Sequence, residues 1–199
     1  MAARRPPLVQ KVRDQHPEQT VEVWFRDEAR FGQKGSRTRV WARRGSRPTR
    51  RKPTEYDWVY AYGAANPLSG DSLAGLMPTV NTGLMSLYLE HRGRHVGPAR
   101  HIVRVLDQAG WHVAKDLQVP VNITLRFLPP YSPELNPIER VWCFLKEPHL
   151  SNRVYAAYAA YVAYVAYAAL LAAGSAAGNA LTPQRIRSIC KTGWIERKE

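Results

Sequence analysis

The sequence predicts an α/β fold, a mixed sheet of three antiparallel strands followed by two parallel ones, flanked by helices. Three observations carry that expectation. Residues 20–27 and 121–127 alternate apolar and polar side chains with the period of a half-buried strand. Residues 101–106 form a nearly continuous apolar run, as a strand buried on both faces does. Between and after these runs stand helix-start signals, Asn81-Thr82, Ser132-Pro133 and Asn136-Pro137.

Taken in order, residues 1–19 read as a basic, proline-containing lead-in with a helical turn or two before His16-Pro17. In the first strand Val21, Val23, Phe25 and Asp27 share one face, with Glu22, Trp24 and Arg26 on the other. Gly32 and Gly35 mark a turn, and residues 38–42 are expected to form a second strand. Residues 57–63 follow as a third, and residues 72–78 as a further extended segment. A helix is expected from Asn81 or Thr82 towards His91, then the strand 101–106 ending at Asp107 and a short helix over 111–117. After the strand 121–127, Pro129, Pro130 and Pro133 stiffen a loop. The next helix starts at either of two caps, carries Ile138, Glu139, Trp142, Phe144 and Leu145, and should end near Pro148. Antiparallel strands followed by βαβ crossovers are the element order of the ribonuclease H-like fold, an order that other α/β folds share. The expected division is a lead-in over 1–19, a ribonuclease H-like domain over 20–150 and a helical extension over 151–199.

The extension differs in character. Tyr155, Tyr158, Tyr161, Tyr164 and Tyr167 recur every third residue among alanines. Alanine favours a helix, but a step of three turns it by about 300°, so the rings make no single stripe. No charged residue lies between Val154 and Gln184. Alanine and tyrosine drive membrane insertion weakly, so a span is not expected.

With 199 residues the chain suits one domain with a substantial core. Its net charge of +13 points to a polyanionic partner. Cys143 and Cys190 stand far apart without zinc-ligand spacing, which argues against a zinc site or a disulfide framework and suits a cytoplasmic location. The basic N-terminus has no apolar stretch of the kind that follows in a secretory signal.

Three acidic residues stand out by position. Asp27 and Asp107 close strands, and Glu139 lies in the first turn of a helix. Neighbouring strand ends and a facing helix can gather such carboxylates, and hard oxygen ligands suit Mg²⁺ or Mn²⁺. Each also has an ordinary reading, since aspartate after a strand favours turns and a first-turn glutamate complements the helix dipole. Alternation places Glu28 on the face opposite Asp27. His112 reads equally as a group that positions water or substrate and as a structural helix-start residue. Asn136 and Pro137 are expected to shape the start of the helix that aims Glu139, and Trp142 to be core.

The segments WFRDEARFG (24–32), VLDQAGWH (105–112) and above all LPPYSPELNPIERVW (128–142) resemble the three acidic motifs of the mariner-like superfamily of transposases, in its bacterial insertion-sequence branch. The resemblance covers about residues 20–153 and implies a ribonuclease H-like fold with Asp27, Asp107 and Glu139 as metal ligands and catalytic residues. It further implies two Mg²⁺ or Mn²⁺ ions, hydrolysis of a phosphodiester at a transposon end, and attack of the freed 3′ hydroxyl on target DNA. The implied partners are transposon-end and target DNA and further copies of the chain assembled on DNA. Family members recognise their ends through an N-terminal region that nineteen residues cannot hold, so the expectation is either the second frame of a split transposase, with an upstream frame supplying a helix-turn-helix, or a truncated product. Two departures stand against the pattern: the 31 residues between Asp107 and Glu139 are slightly fewer than usual, and the Ala/Tyr tract replaces a more mixed helix. Competing readings are an inactive DNA-binding remnant and a general ribonuclease H-like nuclease.

Residues 30–52 add ten basic side chains and no acid: Arg30, Lys34, Arg37, Arg39, Arg43, Arg44, Arg47, Arg50, Arg51 and Lys52. Such a run is often only a solvated face. Beside the first acidic strand it reads as a surface that tracks DNA phosphates.

Overall fold

The structure, a computed structural model, describes residues 7–32, 41–46, 58–146, 175–176 and 178–192. Its centre is one long strand, β1 (Thr20–Gly32), which changes partner midway. The first half pairs in parallel with β4 (Arg100–Leu106), from Thr20 opposite Arg100 to Phe25 opposite Val105. The second half pairs antiparallel with β2 (Trp58–Ala65), which pairs with β3 (Ser72–Met77). With β5 (Ile123–Phe127) parallel to β4, the sheet order is β3-β2-β1-β4-β5. The expected pattern of three antiparallel strands and two parallel ones is the one observed.

Helices cover both faces, as the parallel half of the sheet requires. On one face lies α2 (Thr82–Val96), opened by the Asn81 side chain, which accepts from Leu84 N–H at 2.8 Å. Its Met85, Tyr88, Leu89 and Val96 pack on Trp24, Tyr62, Ile102, Leu106 and Ile123. On the other face α3 (Ile138–Leu145) buries Ile138, Val141, Trp142 and Leu145, the i, i+3, i+4, i+7 stripe of an amphipathic helix. Burying each such side chain contributes roughly 1.5–3 kcal/mol. Ala29, Phe31, Val59, Ala61 and Ala65 of the sheet meet that stripe.

Both ends of the described chain join this core. Val9 and Val12 of α1 (Pro7–Gln15) are buried, and the His16 ring stacks on His101 at 4.0 Å. Helix α4 (Pro183–Ile189) is capped by Thr182, and its Ile186, with Cys190 beyond it, packs under α3. The β2–β3 turn abuts this helix so closely that a Cβ on Gly70 would lie 2.2 Å from the Pro183 carbonyl oxygen, and Gly70 has φ +82°. Only glycine suits both conditions.

Several elements depart from the sequence reading. The strand expected at 38–42 lies largely outside the described residues, and Trp41 and Ala42, which lie inside them, are irregular. The third antiparallel strand is instead Ser72–Met77. Residues 111–117 form turns rather than a helix, because Trp111 and His112 are tied sideways to Glu28 and a seven-residue segment has little helical stability of its own. The two caps before Glu139 are used in succession. Pro133–Leu135 is a single 3₁₀ turn, and α3 begins after Asn136-Pro137. The Ala/Tyr tract lies outside the described residues. Among the described residues no helix is long and apolar enough to cross a membrane.

Candidate active site

Asp27 lies where β1 has run past its pairing with β4. The β1–β4 register offsets partners by a constant number of residues, and its continuation brings Asp27 level with Asp107. Two carboxylates therefore leave adjacent strands at the same height, one strand spacing of about 4.8 Å apart at the backbone. The third arrives from α3. Asn136, buried before that helix, donates from Nδ2 to the Arg26 carbonyl at 3.0 Å, which ties the helix start to the residue preceding Asp27. Its own carbonyl accepts from Glu139 N–H at 3.2 Å.

Trp142 stands three residues beyond Glu139 on the same flank of α3. It is a core residue, as expected, and its indole Nε1 also donates to Asp27 Oδ2 at 3.0 Å. Room for the ring comes from Gly63, the β2 partner of Asp27, where a Cβ would lie 2.3 Å from the indole edge. Burial, and then the nearby Glu139 charge, push the Asp27 carboxyl from 3.8 up to about 7. The Glu28 amide and the Trp142 indole oppose that rise without cancelling it.

The opposite face of β1 carries a second polar group. Arg26 is fully buried, with its guanidinium 4.9 Å from the Tyr62 ring centre and 5.2 Å from that of Tyr88. It forms an ion pair with Glu28 at 2.6 Å. Glu28 accepts from Trp111 Nε1 at 3.0 Å and meets His112 Nε2 at 3.1 Å. The other ring nitrogen, Nδ1, lies 2.7 Å from Asp107 Oδ1. A neutral imidazole with its proton on Nδ1 donates to Asp107 and accepts from Arg26 at Nε2, whereas the cation donates to Glu28 instead. Burial works against charge on His112, but its bonds to Asp107 and Glu28 outweigh it and raise its pKa. Burial likewise works against charge on Glu28, and the His112 bond and Arg26 charge prevail and lower its pKa. The His112 bond is the largest influence lowering the pKa of Asp107.

Asp27 and Glu139 are thus in electrostatic contact, and Asp107 stands beside them with its carboxylate bonded to His112. Among the described residues no three His, Cys, Asp or Glu side chains are already gathered closely enough to hold a metal ion. Glu28 does face away from Asp27, as alternation requires, yet it reaches Asp107 through His112. Sequence reading does not find that link, because His112 comes from a turn whose path no periodicity reveals. The Trp142 bond to Asp27 has a legible signal in the three-residue spacing from Glu139. Of the basic run, Arg30, Arg43 and Arg44 are described and exposed, with Arg30 4.1 Å from the Trp58 ring centre. Lys34, Arg37, Arg39, Arg47, Arg50, Arg51 and Lys52 lie outside the described residues.

A mixed sheet of this order, with aspartates at the ends of adjacent parallel strands and a glutamate-bearing helix over them, places the molecule in the ribonuclease H-like class. Residues 22–159 match the DDE superfamily endonuclease family, and the chain belongs to it. It is 42% identical over 142 residues to the uncharacterized protein y4pE/y4sA of Sinorhizobium fredii, covering 70% of this chain and 98% of that one. Among solved structures it is similar to the Mos1 strand transfer complex (TM-score 0.60, 17% identity, 92% of this chain and 54% of that one). It is also similar to the Mos1 mariner paired end complex with Mn (TM-score 0.55, 15% identity, 96% and 65%). The chain spans between about half and two thirds of those Mos1 chains. At such identities the likeness shows the fold.

Proposed function

We propose that this chain is the catalytic core of a transposase, with Asp27, Asp107 and Glu139 holding Mg²⁺ or Mn²⁺ against a DNA phosphodiester. The observation that carries the reading is the placing of Asp27 and Asp107 at one height on adjacent strands, with the helix that bears Glu139 tied to the residue before Asp27. Burial, and then the Glu139 charge, push the Asp27 carboxyl up to about 7. Such an arrangement suits a divalent cation, which relieves the repulsion and takes hard oxygen donors. When bound, two such ions supply the charge that activates an attacking oxygen and stabilises the leaving one.

The protein's own residues do the positioning. Trp142 fixes the Asp27 carboxylate, and Asn136 fixes the backbone from which Glu139 projects. Arg30, Arg43 and Arg44, with the rest of the basic run, hold the DNA backbone through salt-sensitive contacts. In the first step water adds to phosphorus and the P–O3′ bond breaks, leaving a 3′ hydroxyl on the transposon end. In the second that hydroxyl attacks a target phosphodiester and displaces another 3′ oxygen. The reading takes transposon ends and target as the DNA partners, with more than one copy assembled on them.

The test uses two substrates, an end-containing supercoiled plasmid and a pre-cut end with a free 3′ hydroxyl. The wild-type chain is expected to nick the first and join the second to target DNA, with Mg²⁺ or Mn²⁺ and not with EDTA. Asp107→Asn and Glu139→Gln are expected to do neither. Equal nicking by wild type and Asp107→Asn sinks the assignment. Nicking without joining identifies a general nuclease; salt-sensitive DNA binding unaffected by metal and by Glu139→Gln, with neither activity even when an end-binding helix-turn-helix is supplied, identifies an inactive remnant.

A further inference from the structure

We propose that His112 is a positioning residue that aims the Asp107 carboxylate at the metal, with the imidazole itself anchored by Glu28 and Arg26. The proposal rests on the reading of Asp107 as a metal ligand. Asp107 has left β4, and its side chain is 56% exposed, so nothing in the sheet itself restrains its rotation. Two hydrogen bonds do. Ala109 N–H donates to Oδ1 at 3.1 Å, and His112 Nδ1 donates to the same atom at 2.7 Å. Both land on Oδ1, and Oδ2 carries neither.

The His112 side chain is fully buried, and its second ring nitrogen is held from the other side. Glu28 Oε1 lies 3.1 Å from Nε2, and Arg26 meets the same nitrogen. Glu28 is gripped in turn by Arg26 and by the Trp111 indole. Arg26 and Glu28 are the residues on either side of Asp27 in β1. The strand that presents Asp27 on one face therefore anchors, through its other face, the group that holds Asp107. A carboxylate ligand oriented by an outer hydrogen bond loses affinity for its ion when that bond is removed, typically by about 10–100-fold.

The bland alternative is a buried histidine that merely satisfies the core, and replacement by asparagine separates the two. In the His112→Asn variant the amide nitrogen takes the place of Nδ1 and keeps a donor for Asp107, while the ring and its contact with Glu28 are lost. The experiment measures Mn²⁺ binding to the full 199-residue chain from the electron paramagnetic resonance signal of free Mn²⁺. It is run on wild type, Asp107→Asn, His112→Ala, His112→Asn and Glu28→Gln, each checked by thermal melting. Wild type is expected to bind and Asp107→Asn to lose binding. His112→Ala is expected to weaken binding by about 10–100-fold, and His112→Asn, with the donor but without the anchor, to recover part of it. Glu28→Gln, which leaves the imidazole in place but loosens its anchor, is expected to weaken binding several-fold, and it carries the test if His112→Ala does not fold. Binding by His112→Ala or Glu28→Gln at the wild-type level overturns the proposal, as does His112→Asn no better than His112→Ala. Wild-type and Asp107→Asn chains that bind Mn²⁺ alike, or not at all, overturn instead the metal-ligand reading beneath it.

Discussion

Asp27→Asn is expected to stabilise the metal-free fold at neutral and alkaline pH while abolishing DNA cutting. The stabilisation follows from the Asp27 carboxyl, whose pKa rises from 3.8 to about 7 in the fold through burial and the Glu139 charge. Below pH 3.8 the group is protonated whether the chain is folded or not, and it contributes nothing. Between the two values the folded chain keeps a proton that the unfolded chain has released. Stability therefore falls as pH rises, by up to about 1.4 kcal/mol per pH unit. Above about pH 7 both states are ionised, and the accumulated loss is on the order of 4 kcal/mol. Asparagine has the same shape, carries no charge and retains an oxygen for the Trp142 indole. In urea denaturation with EDTA, its stability advantage over wild type should be about 2 kcal/mol at pH 5 and grow by about 2 kcal/mol or more by pH 8. Added Mn²⁺ should narrow the gap at pH 8, because an ion bound to the folded wild type adds its binding free energy to stability. A variant less stable than wild type at pH 8, or a gap that does not grow with pH, refutes the reasoning.

Other substitutions probe how the site is held. Trp142→Phe removes the donor to Asp27 together with the outer indole edge that lies over Gly63; it should cost at least about 1.5–3 kcal/mol at pH 8 in urea denaturation and slow nicking. Gly63→Ala drives a methyl group into the Trp142 ring, and a loss of about 1–3 kcal/mol is expected together with reduced nicking. Asn136→Ala leaves the Arg26 carbonyl without its partner and frees the start of α3. A loss of about 1–3 kcal/mol, with nicking reduced even where the chain remains folded, is the expected outcome. Ile186→Ala should cost about 2–5 kcal/mol, showing by thermal melting that α4 belongs to the same cooperative unit as α3.

Much of the sheet is legible in the sequence because its signal is local. Alternation in β1 and the apolar run of β4 are direct consequences of which faces they bury. The capping residue Asn81 announces its helix by side-chain chemistry alone. Pairing partners are less accessible. That β1 is long enough to serve β4 with one half and β2 with the other depends on where each neighbour ends, which no single strand encodes. The turn at 111–117 reads as a helix in the sequence because its conformation is decided by Glu28, more than eighty residues earlier. In the site, the three acids are visible from their places at element ends and from the motifs around them. The Arg26–Glu28–His112 group is not, since its members join through a turn and through the far face of a strand.

The most direct test of the central claim, that Asp27, Asp107 and Glu139 form one metal site, is anomalous diffraction from crystals of the chain soaked in Mn²⁺. The expected result is a peak in ligating contact with carboxylate oxygens of all three residues, absent from crystals of Asp107→Asn. A peak elsewhere, or one unchanged in that variant, contradicts it.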